Sequence, residues 1–140
     1  MKYFWLNQKD SDSSPYKDEE GQVYHYREYT PGYKQLSTGD RFVYYRPGKH
    51  VLFGTGTIGD VEQREWGMGD GTETHIEYYA HIENYRPFDP ELNVREIKNQ
   101  ISFLQDRNGL SGVPQNSIRR LDKDDFLTII EAAGVELFDV

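Results

Sequence analysis

Tyr24, His25, Tyr26 and Tyr29 fall within one short stretch, YHYREY, and the carboxamides of Asn7 and Gln8 close an apolar run near the start, YFWLNQ. A further group of amides and a hydroxyl, Gln115, Asn116 and Ser117, comes late in the chain. Rings of this kind stack on flat aromatic ligands, and a carboxamide offers both a donor and an acceptor to the edge of a base. The same tyrosines also suit an amphipathic strand packed at a domain edge, and the residues alone leave both readings open. Trp66 stands in a glycine-rich stretch, EQREWGMGDGTET, where it either covers the core or lines a cleft.

Bond-making chemistry has fewer candidates. There is no cysteine, which removes disulfides and thiolate metal sites. His25, His50, His75 and His81 form no HExxH motif. The run GMGDG lacks the GK[ST] of a phosphate loop, and Ser117 has no base near it in sequence. Asp124 and Asp125 are better read as charges at a helix start. Asp60 and Glu62 could hold a cation as nucleases do, but the local basic pattern of such sites is missing. The expectation is a protein without catalytic residues, metal or cofactor.

The elements that must position these groups follow from periodicity. Residues 2–8 read as a first strand buried on both faces, and 22–33 as an aromatic strand ending in the Thr30-Pro31-Gly32 turn. The centre of the chain is LSTGDRFVYYRPGKHVLFGTGTIGDV, with strand-like runs at 41–46 and 51–61 around Pro47-Gly48-Lys49. Gly54, Gly56 and Gly59 mark the second run as a bent strand, with either a ligand or a plain barrel corner against it. Residues 62–74 read as a hairpin loop and 74–85 as a strand, with Ile76, Tyr78, Ala80 and Ile82 on its core face. Pro87 is expected to end that strand. Leu92, Ile97, Ile101 and Leu104 predict a helix over 90–107 capped by Asp89. A short strand before residue 121 and a helix over 122–133, stopped by Gly134, close the series. Local strand pairing with late helices gives an α+β class, a small curved sheet or barrel, in one domain spanning 1–140.

Charge bounds the partners. The net charge is −8, which counts against indiscriminate binding to nucleic acid. Lys and Arg nevertheless outnumber Asp and Glu in 31–56 and 95–121, which would form one positive face if they adjoin. No apolar run approaches the roughly 20 residues of a membrane span, and no signal-peptide core is evident, so a cytoplasmic protein is the default expectation.

Several motifs taken in order carry a resemblance. YFWLNQ with Trp5 to Gln8, GDRFVYY at 39–45, FGTGTIGDV at 53–61 and QNSIRRLDKDDF at 115–126 are together similar to EVE domains, relatives of the YTH readers in the PUA-like superfamily. Residues 24–46 also resemble the N-terminal domains that precede HNH nuclease domains in restriction enzymes. Where EVE domains usually have a tryptophan-containing segment, this chain has Tyr24-His25-Tyr26. The resemblance implies a PUA-like barrel with helices packed around it, and a flipped, often methylated base held by aromatic and amide side chains. The base-binding set it points to is Trp5, Asn7, Gln8, Tyr24, His25, Tyr26, Tyr45, Trp66, Gln115, Asn116 and Ser117. Lys34, Arg41, Arg46, Lys49, Arg119 and Arg120 would hold phosphates, although Arg119 and Arg120 also have Asp122, Asp124 and Asp125 close by in sequence. The implied partners are modified DNA and a nuclease domain or subunit. An RNA-binding module of the same fold and a small-molecule or nucleotide-binding domain are the alternatives.

Overall fold

The strand β1 (Tyr3–Asn7) carries four large apolar side chains in succession, all of them buried. A strand covered on both faces belongs inside a sheet, and β1 is paired along both edges. Beside it lie β3 (Arg41–Arg46), parallel, and β6 (Ile118–Leu121), antiparallel. With β2 (Val23–Arg27), β4 (Val51–Gly67) and β5 (Thr74–Asn93), the sheet order is β2-β5-β4-β3-β1-β6. Two short helices are α1 (Val94–Ile97), which runs on into a 3-10 turn, and α2 (Lys123–Ala133). This computed structural model describes residues 1–8, 20–28, 30–67, 74–105 and 118–137, without the side chains of 66, 67, 74 and 75.

Strand alternation divides the core in two. Tyr3, Trp5, Val43 and Tyr45 face the helices and pack with Ile97, Ile101, Phe126 and Ile129. Phe4, Leu6, Phe42 and Tyr44 face the other way, with Tyr24, Tyr26, Ile58 and Ile118. Across that second face the two sheet edges draw together. The Tyr24 hydroxyl donates to the Asn7 carbonyl at 3.1 Å. Gly32, at φ +87°, lies so close to Ile118 that a Cβ there would sit 2.4 Å from its carbonyl oxygen. The sheet is therefore curled into a half-barrel with helices outside, the α+β curved barrel expected from the sequence.

Three element boundaries differ from the sequence reading. The stretch 62–67 is strand rather than loop, because β4 and β5 pair out to Gly67↔Thr74. Pro87 does not end β5. Pairing with β2 stops at Val23↔His81, so beyond that point β5 has a sheet edge, where a missing N–H is tolerated. Among the described residues the helix expected over 90–107 is confined to Val94–Ile97 and the 3-10 turn at Lys98–Gln100, because Leu92 and Asn93 are taken by pairing with Leu52 and Val51; residues 106 and 107 lie outside the described residues. Asn93, not Asp89, is the cap: its side chain accepts from the Arg95 N–H at 2.9 Å. Ile97, Ile101 and Leu104 are buried as their spacing required, but from a turn rather than a long helix. Asp122 and Gly134 do bound α2, with Gly134 left-handed at φ 73°.

The glycines of β4 admit other parts of the core. A Cβ on Gly54 would lie 2.4 Å from the Tyr85 hydroxyl, and one on Gly56 would lie 2.9 Å from the Phe42 ring. Tyr85 cannot retreat, since it is wedged against Gly21 and edge-on to Tyr44 at 5.8 Å. Gly54→Ala is accordingly expected to cost about 1–3 kcal/mol by overpacking. Urea denaturation should show a lower midpoint with an unchanged slope, and a midpoint equal to the parent's would contradict this packing.

Candidate functional site

Ladder register places Tyr26 of β2 opposite Tyr78 of β5, and Tyr78 opposite Gln63 of β4. Directly opposed residues point to the same face, so these three side chains stand in a row inside the curl. Tyr33 joins them from the turn after β2, which Gly32 allows to close down on β6. Together with Lys34 and Leu36 they line a hollow of about 420 Å³. The Tyr26 and Tyr78 rings are stacked at 5.1 Å and 10°, and Tyr33 is tilted against Tyr78 at 5.8 Å. Lys34 lies 5.6 Å from the Tyr33 ring centroid. Burial raises the pKa of both Tyr26 and Tyr78, and each is also raised by a neighbour, Tyr78 for the former and Tyr33 for the latter. Both phenols are thus neutral at pH 7.

This site takes only part of the set read from the sequence. Tyr24 is beside Tyr26 at 5.7 Å and next to Tyr44 in the same core cluster. Tyr45 and Trp5 are on the opposite face of the sheet, their rings tilted at 41° with centroids 4.8 Å apart within the helix-side core. The sheet lies between the two groups, so a wall combining Tyr24, Tyr26 and Tyr45 does not form. His25 points outward, bonded to Glu77 and stacked on Tyr79 at 4.4 Å. Asn7 and Gln8 are at the end of β1, where Tyr24 and Arg46 bind their carbonyls. The side chain of Trp66, and Tyr29, Gln115, Asn116 and Ser117, lie outside the described residues. Tyr33, Tyr78 and Gln63 were not among the candidates. Tyr78 already had the parity of a core-facing residue, and Gln63 shows itself only once 62–67 is known to be strand.

The cations divide in the same way. Lys34 is on the lip of the hollow. Lys2, not picked out in the sequence, reaches the Gln35 carbonyl of the same turn and lies 5.7 Å from the Phe4 ring. Arg120 approaches that ring from β6 at 5.9 Å. These three therefore share the inner side of the barrel near one turn. Arg119 points to the helix side, 4.2 Å over Phe103. Arg46 is held by Glu20 at 2.6 Å and lies over Phe53 at 4.0 Å, while Lys49 is exposed in the 47–50 turn. Arg41 is buried on the helix face and is absent from this lip.

The outer face holds the other charged cluster. Glu77 joins His25 and, at 3.5 Å, Arg27. Glu62 accepts from His81 at 2.9 Å and Arg64 at 3.0 Å, and these bonds lower its pKa. Its carboxylate is thereby committed to His81 and Arg64 instead of standing open beside Asp60. Among the described residues no group of three His, Cys, Asp or Glu side chains is arranged to hold a metal, and no helix is long and apolar enough to cross a membrane.

No family of known proteins and no curated protein matches the chain in sequence. Solved structures match in fold. The N-terminal domain of Staphylothermus marinus McrB superposes with a TM-score of 0.63 at 10% identity, over 92% of this chain and 93% of that one. A Rhodopseudomonas palustris protein solved by NMR gives 0.60 at 12% identity, over 96% and 94%. A Pseudomonas putida protein gives 0.54 at 14% identity, over 94% and 99%. At these identities the likeness is one of fold.

Proposed function

We propose that the chain is a non-catalytic nucleic-acid-binding module that takes one extruded, modified base into the hollow between Tyr26, Tyr33 and Tyr78, and that it serves a restriction or defence system alongside a nuclease domain or subunit. The observation that carries this reading is the convergence of three aromatic rings and a carboxamide on one concave space with a lysine at its lip. The motif resemblance to EVE domains and to restriction-enzyme modules, and the fold shared with the N-terminal domain of McrB, support the same reading independently.

The energetics assign the roles. Extruding a base from a duplex costs a few kcal/mol, and a stacked aromatic ring returns about 1–3 kcal/mol per base. Burial of a methyl group adds only about 0.8 kcal/mol, so the rings supply affinity and the modification supplies discrimination. Gln63 would pair with a base edge, and Lys34, Lys2 and Arg120 would meet phosphates on the inner side. DNA duplexes that differ only in one methylated base test the proposal. Preference for the methylated duplex is expected, and equal affinity at moderate salt would remove the modified-base claim. Each of Lys34→Ala and Arg120→Ala should reduce the slope of log affinity against log salt by about one. An unchanged slope would place the phosphates elsewhere. The net charge of −8 favours one rival, a free mononucleotide as ligand; salt-insensitive binding of a mononucleotide, with no binding to duplex or single strand, would establish it.

A further inference from the structure

The hydroxyls around the aromatic hollow differ in what they have left to offer a ligand. Ser37 donates its proton to Asp40 Oδ2 at 3.1 Å, and Thr38 donates its own to the Gly59 carbonyl at 2.9 Å. A hydroxyl has one proton, so toward a ligand these two oxygens act only as acceptors. Tyr26 is different. It lines the same space with only 3% of its surface exposed, whereas Tyr33 and Tyr78 are half-buried. No hydrogen bond engages its hydroxyl among the described residues, and that oxygen is not sealed inside the protein. Its opening is therefore the hollow it lines. Burial keeps the phenol protonated, and so a donor, at neutral pH. We infer that the Tyr26 hydroxyl reads the Watson–Crick edge of the extruded base by donating to a ring nitrogen, N1 of an adenine or N3 of a cytosine. This rests on the base-binding function proposed above and gives that site its specificity-determining residue. An extruded base stays tethered through its sugar, so the opposite edge, the Watson–Crick edge, leads into the pocket. The innermost donor is the group that edge meets. Guanine and thymine carry an N–H at the equivalent ring position, and the phenol could accept from it only by leaving its own proton unpaired. A base with no acceptor there displaces water from a buried hydroxyl and returns no hydrogen bond, which is costlier than the same mismatch in solvent. Tyr26 thus has two separable parts: a ring stacked on Tyr78, which contributes affinity, and a hydroxyl, which contributes choice.

Duplexes with one mismatched adenine or cytosine, and the same duplexes with 1-deazaadenine or 3-deazacytosine in its place, test the inference. Each deaza base replaces the ring nitrogen by C–H and keeps the stacking area, and the mismatch keeps extrusion cheap in every duplex. For the parent, at least one deaza duplex should bind about tenfold more weakly than its natural counterpart. Tyr26→Phe keeps the ring against Tyr78 and the packing of the core, which an unchanged urea midpoint would verify. This variant should bind the natural duplex about tenfold more weakly than the parent does, with no further loss on the deaza duplex, because the two changes remove the same bond. Equal binding of natural and deaza duplexes by the parent, or a deaza penalty that persists in Tyr26→Phe, would overturn the role of the hydroxyl. Tyr78→Ala separates that failure from failure of the base site itself. Lost affinity in Tyr78→Ala with no deaza penalty in the parent would mean that the base is held there but not read by Tyr26. Parent-like affinity in Tyr78→Ala would overturn both.

Discussion

Tyr78→Ala is expected to weaken binding of nucleic acid about 5- to 150-fold and to leave the fold intact. The residue occupies the middle of the row, between Tyr26 on one strand and Gln63 on another, with Tyr33 tilted over it. Its side chain is only half-buried, whereas Tyr26 is 3% exposed and part of the inner core. Removing Tyr78 therefore deletes a stacking surface without emptying a closed core site. Stacking of one base contributes about 1–3 kcal/mol, which sets the range. The salt slope should not change, because no phosphate contact is lost. Tyr45→Phe is the matching control. Its hydroxyl bonds His50 Nδ1 at 2.8 Å on the helix side of the sheet, so its loss should leave binding as in the parent. Fluorescence anisotropy with a methylated duplex measures both. Parent-like affinity in Tyr78→Ala would remove the hollow from consideration as the base site, and reduced affinity in Tyr45→Phe would show that the faces have been assigned the wrong way round.

The contrast between Tyr78 and Tyr45 also shows what could be read from the sequence and what could not. Alternation within one strand is local information. It gives Tyr78 a core-facing parity. Whether Tyr45 meets Tyr24 is a different question, because β2 and β3 are joined in the sheet only through β5 and β4. Their relation passes through three register shifts between β4 and β5 and one between β3 and β4. Each irregularity can change which face a residue presents, and single-strand periodicity carries no trace of it. The helix expected over 90–107 failed for a related reason. Leu92, Ile97, Ile101 and Leu104 are buried, but a long strand followed by a tight turn buries the same positions. The glycines of β4 had two open readings, a ligand or a corner. Tyr85 and Phe42 occupy the space, so the corner is the physical answer.

Trp5→Ala should destabilise the protein by about 3–5 kcal/mol, the largest single effect expected here, and should do so without a specific effect on binding. Trp5 is fully buried between Val43 of β3 and Arg119 of β6 in the ladder. Its ring packs on Tyr45 at 4.8 Å and edge-on to Phe103 at 5.2 Å, and Arg119 then covers Phe103. Truncation empties the centre of the helix-side core, where neither central strand can shift without breaking its other pairing. A domain with about 5–15 kcal/mol of total stability has little left after such a loss. Trp5→Phe should cost much less. The indole Nε1 is buried with no hydrogen-bond partner among the described residues, so the smaller ring loses area but also removes an unsatisfied donor. Urea denaturation ranks the two variants, and titration with methylated duplex at a temperature where Trp5→Phe is fully folded separates stability from recognition. Parent-like affinity in Trp5→Phe is expected if the indole is core alone. A loss of affinity in that folded variant, beyond what its unfolded fraction explains, would return Trp5 to the base-binding set and place the bound base on the helix side of the sheet.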